Sequence, residues 1–288
     1  MNEEFAEIIT HPTAMLAVIF VLDLLFGDPV YNFHPVRLIG NLLSWYETKL
    51  RKIGLDGKIG GIILVLLLLF SVLVICLNIF QFLESLHWSL SWFWSVYLGW
   101  SFLALRDLLV HAKHVAKTME EKNLLEAKRK VGMLVGRETS HMDFAACGRA
   151  TIESVSENLN DGVIAPLFYF CFFGIPGMLV FKVLSTIDSM VGYRNKRYQN
   201  FGWCGARLDD ILSWIPARIS WLLLSGTASL IPGLSGKNAF KFGWQDYAKL
   251  SSPNAGWSEA TAAGALRIKL SGPIWREGKL AHDNWLGD

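Results

Sequence analysis

The chain is 288 residues long, 52% hydrophobic and 13% aromatic, with 18% charged residues and a mean hydropathy of +0.33. A net charge of +2 gives no electrostatic footprint for nucleic acid, and a charged fraction below the roughly 25% usual for soluble domains points to a bilayer. Cys76, Cys147, Cys171 and Cys204 stand far apart without a CxxC pair, which argues against a zinc site or a disulfide framework.

The N-terminus lacks the basic start and small-residue cleavage site of a signal peptide. Residues 8–26 form a first candidate span, interrupted by His11-Pro12 and by Asp23. Residues 60–83 carry no formal charge and are long enough to cross the hydrocarbon core. Residues 85–105, rich in tryptophan, follow after Glu84 and predict the second arm of a transmembrane hairpin, with Trp88, Trp92 and Trp94 near an interface. The loop before this hairpin carries Arg37, Lys49, Arg51, Lys52 and Lys58, the Glu84 turn carries no Lys or Arg, and the segment from Lys113 to Asn160 is again basic. The positive-inside rule therefore puts both basic regions in the cytoplasm and the N-terminus outside.

Val110 to Gly132 reads as one charged amphipathic helix, and Arg137 to Asp161 as helix and loop at the membrane surface. Residues 162–181 are apolar but broken at 174–177 by Gly174-Ile175-Pro176-Gly177. A single crossing would put the basic loop Arg194–Arg207 outside, so a re-entrant hairpin is expected. Residues 211–236 read as a kinked or partly interfacial helix because of Pro216 and Arg218. Residues 237–288 form a polar C-terminal segment packed on the cytoplasmic side. The fold class is all-α: a polytopic helical membrane protein with broken or re-entrant helices and a cytoplasmic-side active site, in a single integral membrane domain.

Within Arg149–Asp161, the acids Glu153, Glu157 and Asp161 recur every four residues, so a helix puts them on one face. Three carboxylates on one face suit a divalent cation; the spacing alone fits better a solvated acidic face with Arg149 offsetting Glu153 at i−4. Downstream, Asp188 is followed by Tyr193, Arg194 and Arg197, and Arg207 precedes the adjacent acids Asp209 and Asp210. Those two acids suit a metal–nucleotide complex or the cap of a helix starting near Ile211. Near the first span, His34 and Arg37 offer donors to an anion, or a turn with a headgroup-facing arginine. Gly233–Lys237 lacks the full phosphate-loop spacing, and Asn238 stands where a hydroxyl is required.

Several stretches together resemble one family, the adenosylcobinamide-phosphate synthases (cobinamide synthases) of cobalamin biosynthesis. They are DLLFGDP with HPVRLIG, GRETS, ESVSENLNDGVIAPLFY, TIDSMVGYRNKRYQNFGWCGARLDD, IPAR, SPNAGWSEATAAGAL, and the closing GP and WLGD. They span Asp23 to Asp288 in the family's order. Members often carry a histidine shortly before the Ser-Pro-Asn turn, where this chain has Leu250-Ser251, and usually continue past WLGD into a last hydrophobic segment.

The resemblance implies a multi-pass protein of a prokaryotic cytoplasmic (inner) membrane that joins a propionate of adenosylcobyric acid, a corrinoid, to the amine of aminopropanol phosphate or ethanolamine phosphate. ATP with Mg²⁺ is the implied activator, and other late cobalamin-pathway enzymes are implied partners beside the lipid bilayer. Under that implication Glu153, Glu157, Asp161 and Asp188 fall in the catalytic group. Mg²⁺ falls to Glu153, Glu157 and Asp161, with Asp209 and Asp210. Arg149, Arg194, Arg197 and Arg207 neutralise phosphates, His34, Arg37, Tyr193 and Asn254 contact substrate, and Asn158 and Asn160 bond corrin amides. The family is also related to a membrane protein linked to β-lactamase regulation, so a sensor role without catalysis is the alternative. A transporter ranks last, because the two best spans carry no formal charge.

Overall fold

A computed structural model of the protein describes residues 11–28, 31–276 and 279–288. The chain forms two compact units. The first gathers the residues up to Arg106 together with Ala165–Leu212, and the second gathers Asp107–Ile164 together with Ser213–Asp288.

In the first unit, α1 (Pro12–Phe26) starts with a proline in its first turn and His11 as N-cap, and ends at Gly27. The start of the expected span, residues 8–10, lies outside the described residues. Helix α2 (Pro35–Lys52) also begins on proline, whose missing N–H costs nothing in a first turn, and ends on Lys49, Arg51 and Lys52, which suit the negative end of the helix dipole. Helix α3 (Lys58–Leu86) and α4 (Trp88–Ser101) form the hairpin, hinged at the extended residue His87. Along α3, Leu64, Leu68 and Val72 face the core while Leu66, Phe70 and Phe82 are exposed. A helix apolar on both faces belongs in lipid.

Helix α8 (Ala165–Val191; α5 to α7 lie in the second unit) is broken at Gly174, whose φ of 61° and ψ of −154° only glycine adopts without strain. Tyr169 and Phe181 stack at 5.3 Å between ring centroids. In a straight helix residues twelve apart lie about 18 Å apart, so the two halves fold back on each other. The apolar stretch before the break, residues 162–173, spans about 18 Å, short of the roughly 30 Å hydrocarbon core. The loop after α8 leads into α9 (Trp203–Leu212). That loop packs tightly on α3: a Cβ at Gly61 would come within 1.8 Å of the Phe201 carbonyl oxygen. Among the described residues, three helical stretches, Lys58–Leu86, Trp88–Glu120 and Phe144–Val191, are long and apolar enough to cross a membrane.

The second unit opens with α5 (Leu105–Glu120, from Asp107 on) and α6 (Leu124–Val131). The single amphipathic helix expected over 110–132 is thus two, because Lys122 turns left-handed (φ 54°) and Asn123 caps the new helix at Glu126 N. Helix α7 (Phe144–Leu159) is capped by Asp143 and runs into a π-helical turn, Asn160–Ile164. Pro166 has no N–H for the Gly162 carbonyl, and the widened turn falls there. Helix α10 (Trp214–Leu230) carries Pro216 in its first turn, so this proline begins the helix rather than kinking it. Helix α11 (Gly236–Asp246) packs closely on α12 (Ala255–Leu266), whose Ala260, Ala263 and Gly264 are buried. The polar tail ends in an antiparallel hairpin of β1 (Leu270–Arg276) and β2 (Lys279–Leu286), with a register shift between Ser271 and Pro273.

Candidate functional site

The residues singled out by sequence fall into two groups, one in each unit. In the first unit, the chain turns from α1 into α2 through Asp28 and His34. The His34 ring is buried, and its Nε2 lies 2.6 Å from Asp28 Oδ1 without hydrogen-bond alignment. Tyr31 packs edge-on against His34 and donates to Tyr97 Oη at 2.8 Å. Arg37, one turn on, is exposed.

The loop after α8 is held by a buried acid that sequence reasoning passed over. Glu47 of α2 accepts from Arg51 Nε at 2.9 Å and from Arg197 Nη2 at 3.1 Å, and Arg51 Nη2 donates to the Arg197 carbonyl. Arg51 also stacks over Phe201 and Tyr198. Arg197, expected at a phosphate, therefore anchors its loop. Tyr193 and Arg194 are exposed on the same loop, and the Asp188 carboxylate lies against Gly192, whose backbone leaves the space for it.

Asp209 and Asp210 sit in the last turn of α9 and do not cap the next helix, whose N-cap is Ser213. Two acids at a helix C-terminus oppose the dipole, so local stability does not account for them. Arg207 Nη1 donates to Asp210 Oδ2 at 3.2 Å. Burial pushes the Asp210 carboxyl above its ordinary range, while Arg207 and Arg194 pull it back.

In the second unit the acid stripe divides. Glu153 is buried and both oxygens are engaged: Oε2 by the Arg137 guanidinium, and Oε1 by the Ser271 backbone N–H at 2.7 Å. Glu157 is exposed. Asp161 accepts from Asn160 Nδ2 at 2.7 Å, and the buried Asn160 in turn accepts from Ser220 Oγ at 2.9 Å, tying the π turn to α10. Asn158 is exposed and donates to the Ser154 carbonyl. Arg149 does not offset Glu153; its guanidinium lies over the Trp285 ring at 5.5 Å. Asn254 is buried before α12 and accepts from Arg218 Nη1 at 3.2 Å.

Among the described residues, no group of three or more His, Cys, Asp or Glu side chains is arranged to hold a metal ion. The stripe of Glu153, Glu157 and Asp161 is thus no ready-made cage. The partner that consumes Glu153, Arg137, stands in the GRETS stretch, and sixteen residues separate the two, beyond the reach of any helical-spacing argument. Asp246 is a second missed acid: it takes Lys249 Nζ at 2.9 Å and the Gly287 N–H at 3.0 Å, pinning the closing WLGD stretch to α11.

The family model described as CobD/Cbib protein matches residues 16–288. A curated relative, the cobalamin biosynthesis protein CobD of Klebsiella pneumoniae, is 38% identical over 274 residues, covering 94% of this chain and 86% of its own length. The cobalamin biosynthesis protein CbiB of Salmonella typhimurium is 37% identical with the same coverage. CobD of Geobacter metallireducens is 39% identical over 279 residues, covering 97% of this chain and 87% of its own. No solved structure matches the chain.

Proposed function

The chain belongs to the CobD/Cbib family, and from that premise we propose that it is a biosynthetic enzyme of the cobalamin pathway that forms an amide between a corrinoid carboxylate and an amino-alcohol phosphate. The observation that carries this reading is the family match along residues 16–288, which takes in every stretch described above as a candidate site. The substrates we assign are adenosylcobyric acid and aminopropanol phosphate, or its close relative ethanolamine phosphate.

A carboxylate does not condense with an amine at neutral pH, because oxide or hydroxide is a poor leaving group. ATP would supply the activation: the carboxylate oxygen attacks the γ-phosphorus, ADP leaves, and an acyl phosphate forms. The deprotonated amine then attacks the acyl carbon, inorganic phosphate leaves with the former carboxylate oxygen, and the amine's proton passes to solvent or a base. Charge neutralisation and positioning are the protein's main tasks in such a sequence.

Arg194 and Arg207 on the first unit are exposed and suited to phosphate oxygens. Glu157 and Asp161 on the second unit are the acids of the stripe that Arg137 does not take. Mg²⁺ enters this reading as the counter-ion of the nucleotide substrate. We place the protein in the cytoplasmic membrane with these groups toward the cytoplasm.

The test is isotopic. Corrinoid labelled with ¹⁸O in the reacting carboxylate, incubated with ATP, Mg²⁺ and aminopropanol phosphate, should pass one ¹⁸O into inorganic phosphate as the amide forms. Amide formation with the label released in water would rule out the acyl phosphate. No amide at all would remove the ligation reading.

A further inference from the structure

Five arginines of the described residues form an ion pair with an acid. Arg51 and Arg197 meet Glu47, Arg129 meets Glu126, Arg137 meets Glu153, and Arg207 meets Asp210. Arg218, in the Ile215-Pro216-Ala217-Arg218 stretch of α10, is different. It is half-buried, and among the described residues no carboxylate lies within ion-pair reach of it.

Its setting holds the guanidinium in place without neutralising it. Nη1 donates to the Trp214 carbonyl at 2.8 Å and to Asn254 Oδ1 at 3.2 Å. The guanidinium carbon lies 4.3 Å from the centre of the Trp214 ring and 4.6 Å from that of Trp257. Two aromatic faces and two neutral acceptors fix the plane of the fork, and among the described residues no acceptor meets its remaining N–H groups, on Nε and Nη2.

Beside it stands a second unmet donor. Trp257 is only 3% exposed, and its indole Nε1 is buried without a hydrogen-bond acceptor. Its ring is stacked on Tyr247 at 4.2 Å and packed against Trp221, so it has little freedom to turn toward another partner. A buried donor left unmet is costly, and native proteins rarely keep one without a use. Trp214, over whose ring the guanidinium also lies, is 55% exposed.

We propose that Arg218, Trp257 and Asn254 form an anion site that takes the phosphomonoester of the amino-alcohol substrate. A fixed guanidinium fork with no acid partner, beside an indole N–H, is a donor set for an acceptor-only group, and the planar fork matches two phosphate oxygens at once. This inference rests on the ligation reading for the identity of the ester, while the anion chemistry stands on the residues themselves. Arg218 and Asn254 thereby join the IPAR and SPNAGW stretches.

The test uses the full chain in nanodiscs of zwitterionic lipid, titrated calorimetrically with aminopropanol phosphate and with aminopropanol. The ester should bind and the free alcohol should not. Arg218→Ala should weaken ester binding about 10- to 100-fold, the scale of hydrogen bonds to a charged group. Arg218→Lys, which keeps the charge and loses the fork, should weaken it less, and Trp257→Phe should weaken it through loss of the N–H. In turnover, the KM for the ester should rise in Arg218→Lys while that for the corrinoid stays put, a split that general misfolding would not give. Unchanged ester affinity in Arg218→Ala, equal affinity for ester and alcohol, or a shift confined to the corrinoid would each overturn the site. Ester binding that depends on Arg218 without any amide product would remove the ligation reading and leave the anion site standing. Turnover with an unchanged KM in both Arg218 variants would do the reverse.

Discussion

At Glu153 both carboxylate oxygens are committed, one to Arg137 and one to the backbone of β1. Removing one member of a buried pair strands the other, at a cost of about 3–5 kcal/mol. Glu153→Ala and Arg137→Ala should each lower the thermal midpoint of the detergent-solubilised protein substantially, and the double variant should cost less than the sum. Glu157→Gln, at an exposed position, should leave the midpoint in place. An unshifted midpoint in Glu153→Ala would mean that the clamp does not hold the hairpin. Asp210 makes a pH prediction. Its native carboxyl holds a proton to higher pH than in the unfolded chain, because burial outweighs Arg207 and Arg194. Between the ordinary value of 3.8 and the raised native one, the folded state binds the extra proton. Stability should therefore fall as pH rises through that window and stay flat above it, and Asp210→Asn should remove the slope.

At the scale of elements, the break in α8 depends on one residue. Gly174→Ala forces a side chain into a conformation reserved for glycine, a strain of about 1–3 kcal/mol. Its thermal midpoint should drop, whereas alanine at the neighbouring exposed Phe173 should change little. Gly61→Ala should loosen the loop carrying Arg194 and Arg197, since the new methyl displaces the Phe201 carbonyl. Limited proteolysis after Lys196 or Arg197 would read that loosening. Much of this architecture was legible in the sequence. The apolar run of α3 and the Gly-Ile-Pro-Gly break leave little alternative, whereas His11-Pro12, read as an interruption of a span, is where α1 starts. The C-terminal hairpin was not legible. Ser271 and Gly272 have positive φ and Pro273 sits inside the strand, so the stretch reads as a turn. The Glu153 clamp was hidden for another reason: Ser271 lies 118 residues away, and no spacing argument joins such a pair. Arg218 carried a signal of a kind, as the lone charge in an otherwise apolar helix, which read as an interruption of a span rather than a donor.

For the whole molecule, the membrane arrangement and the chemistry make separate demands. The folded-back α8 predicts that the loop from Arg194 to Arg207 stays on the cytoplasmic side. In a cysteine-free background, Lys196→Cys should react with a membrane-impermeant maleimide only after the cells are permeabilised. Labelling in intact cells would mean that α8 crosses. The catalytic account is tested most directly by conversion. Purified full-length protein would be given adenosylcobyric acid, aminopropanol phosphate, ATP and Mg²⁺, with the product read by mass spectrometry, beside Glu157→Ala. The account predicts a condensed amide that needs ATP and is lost in Glu157→Ala while the variant keeps its thermal midpoint. A well-folded protein that makes no amide from either amino-alcohol phosphate, or a Glu157→Ala variant with full activity, would contradict it.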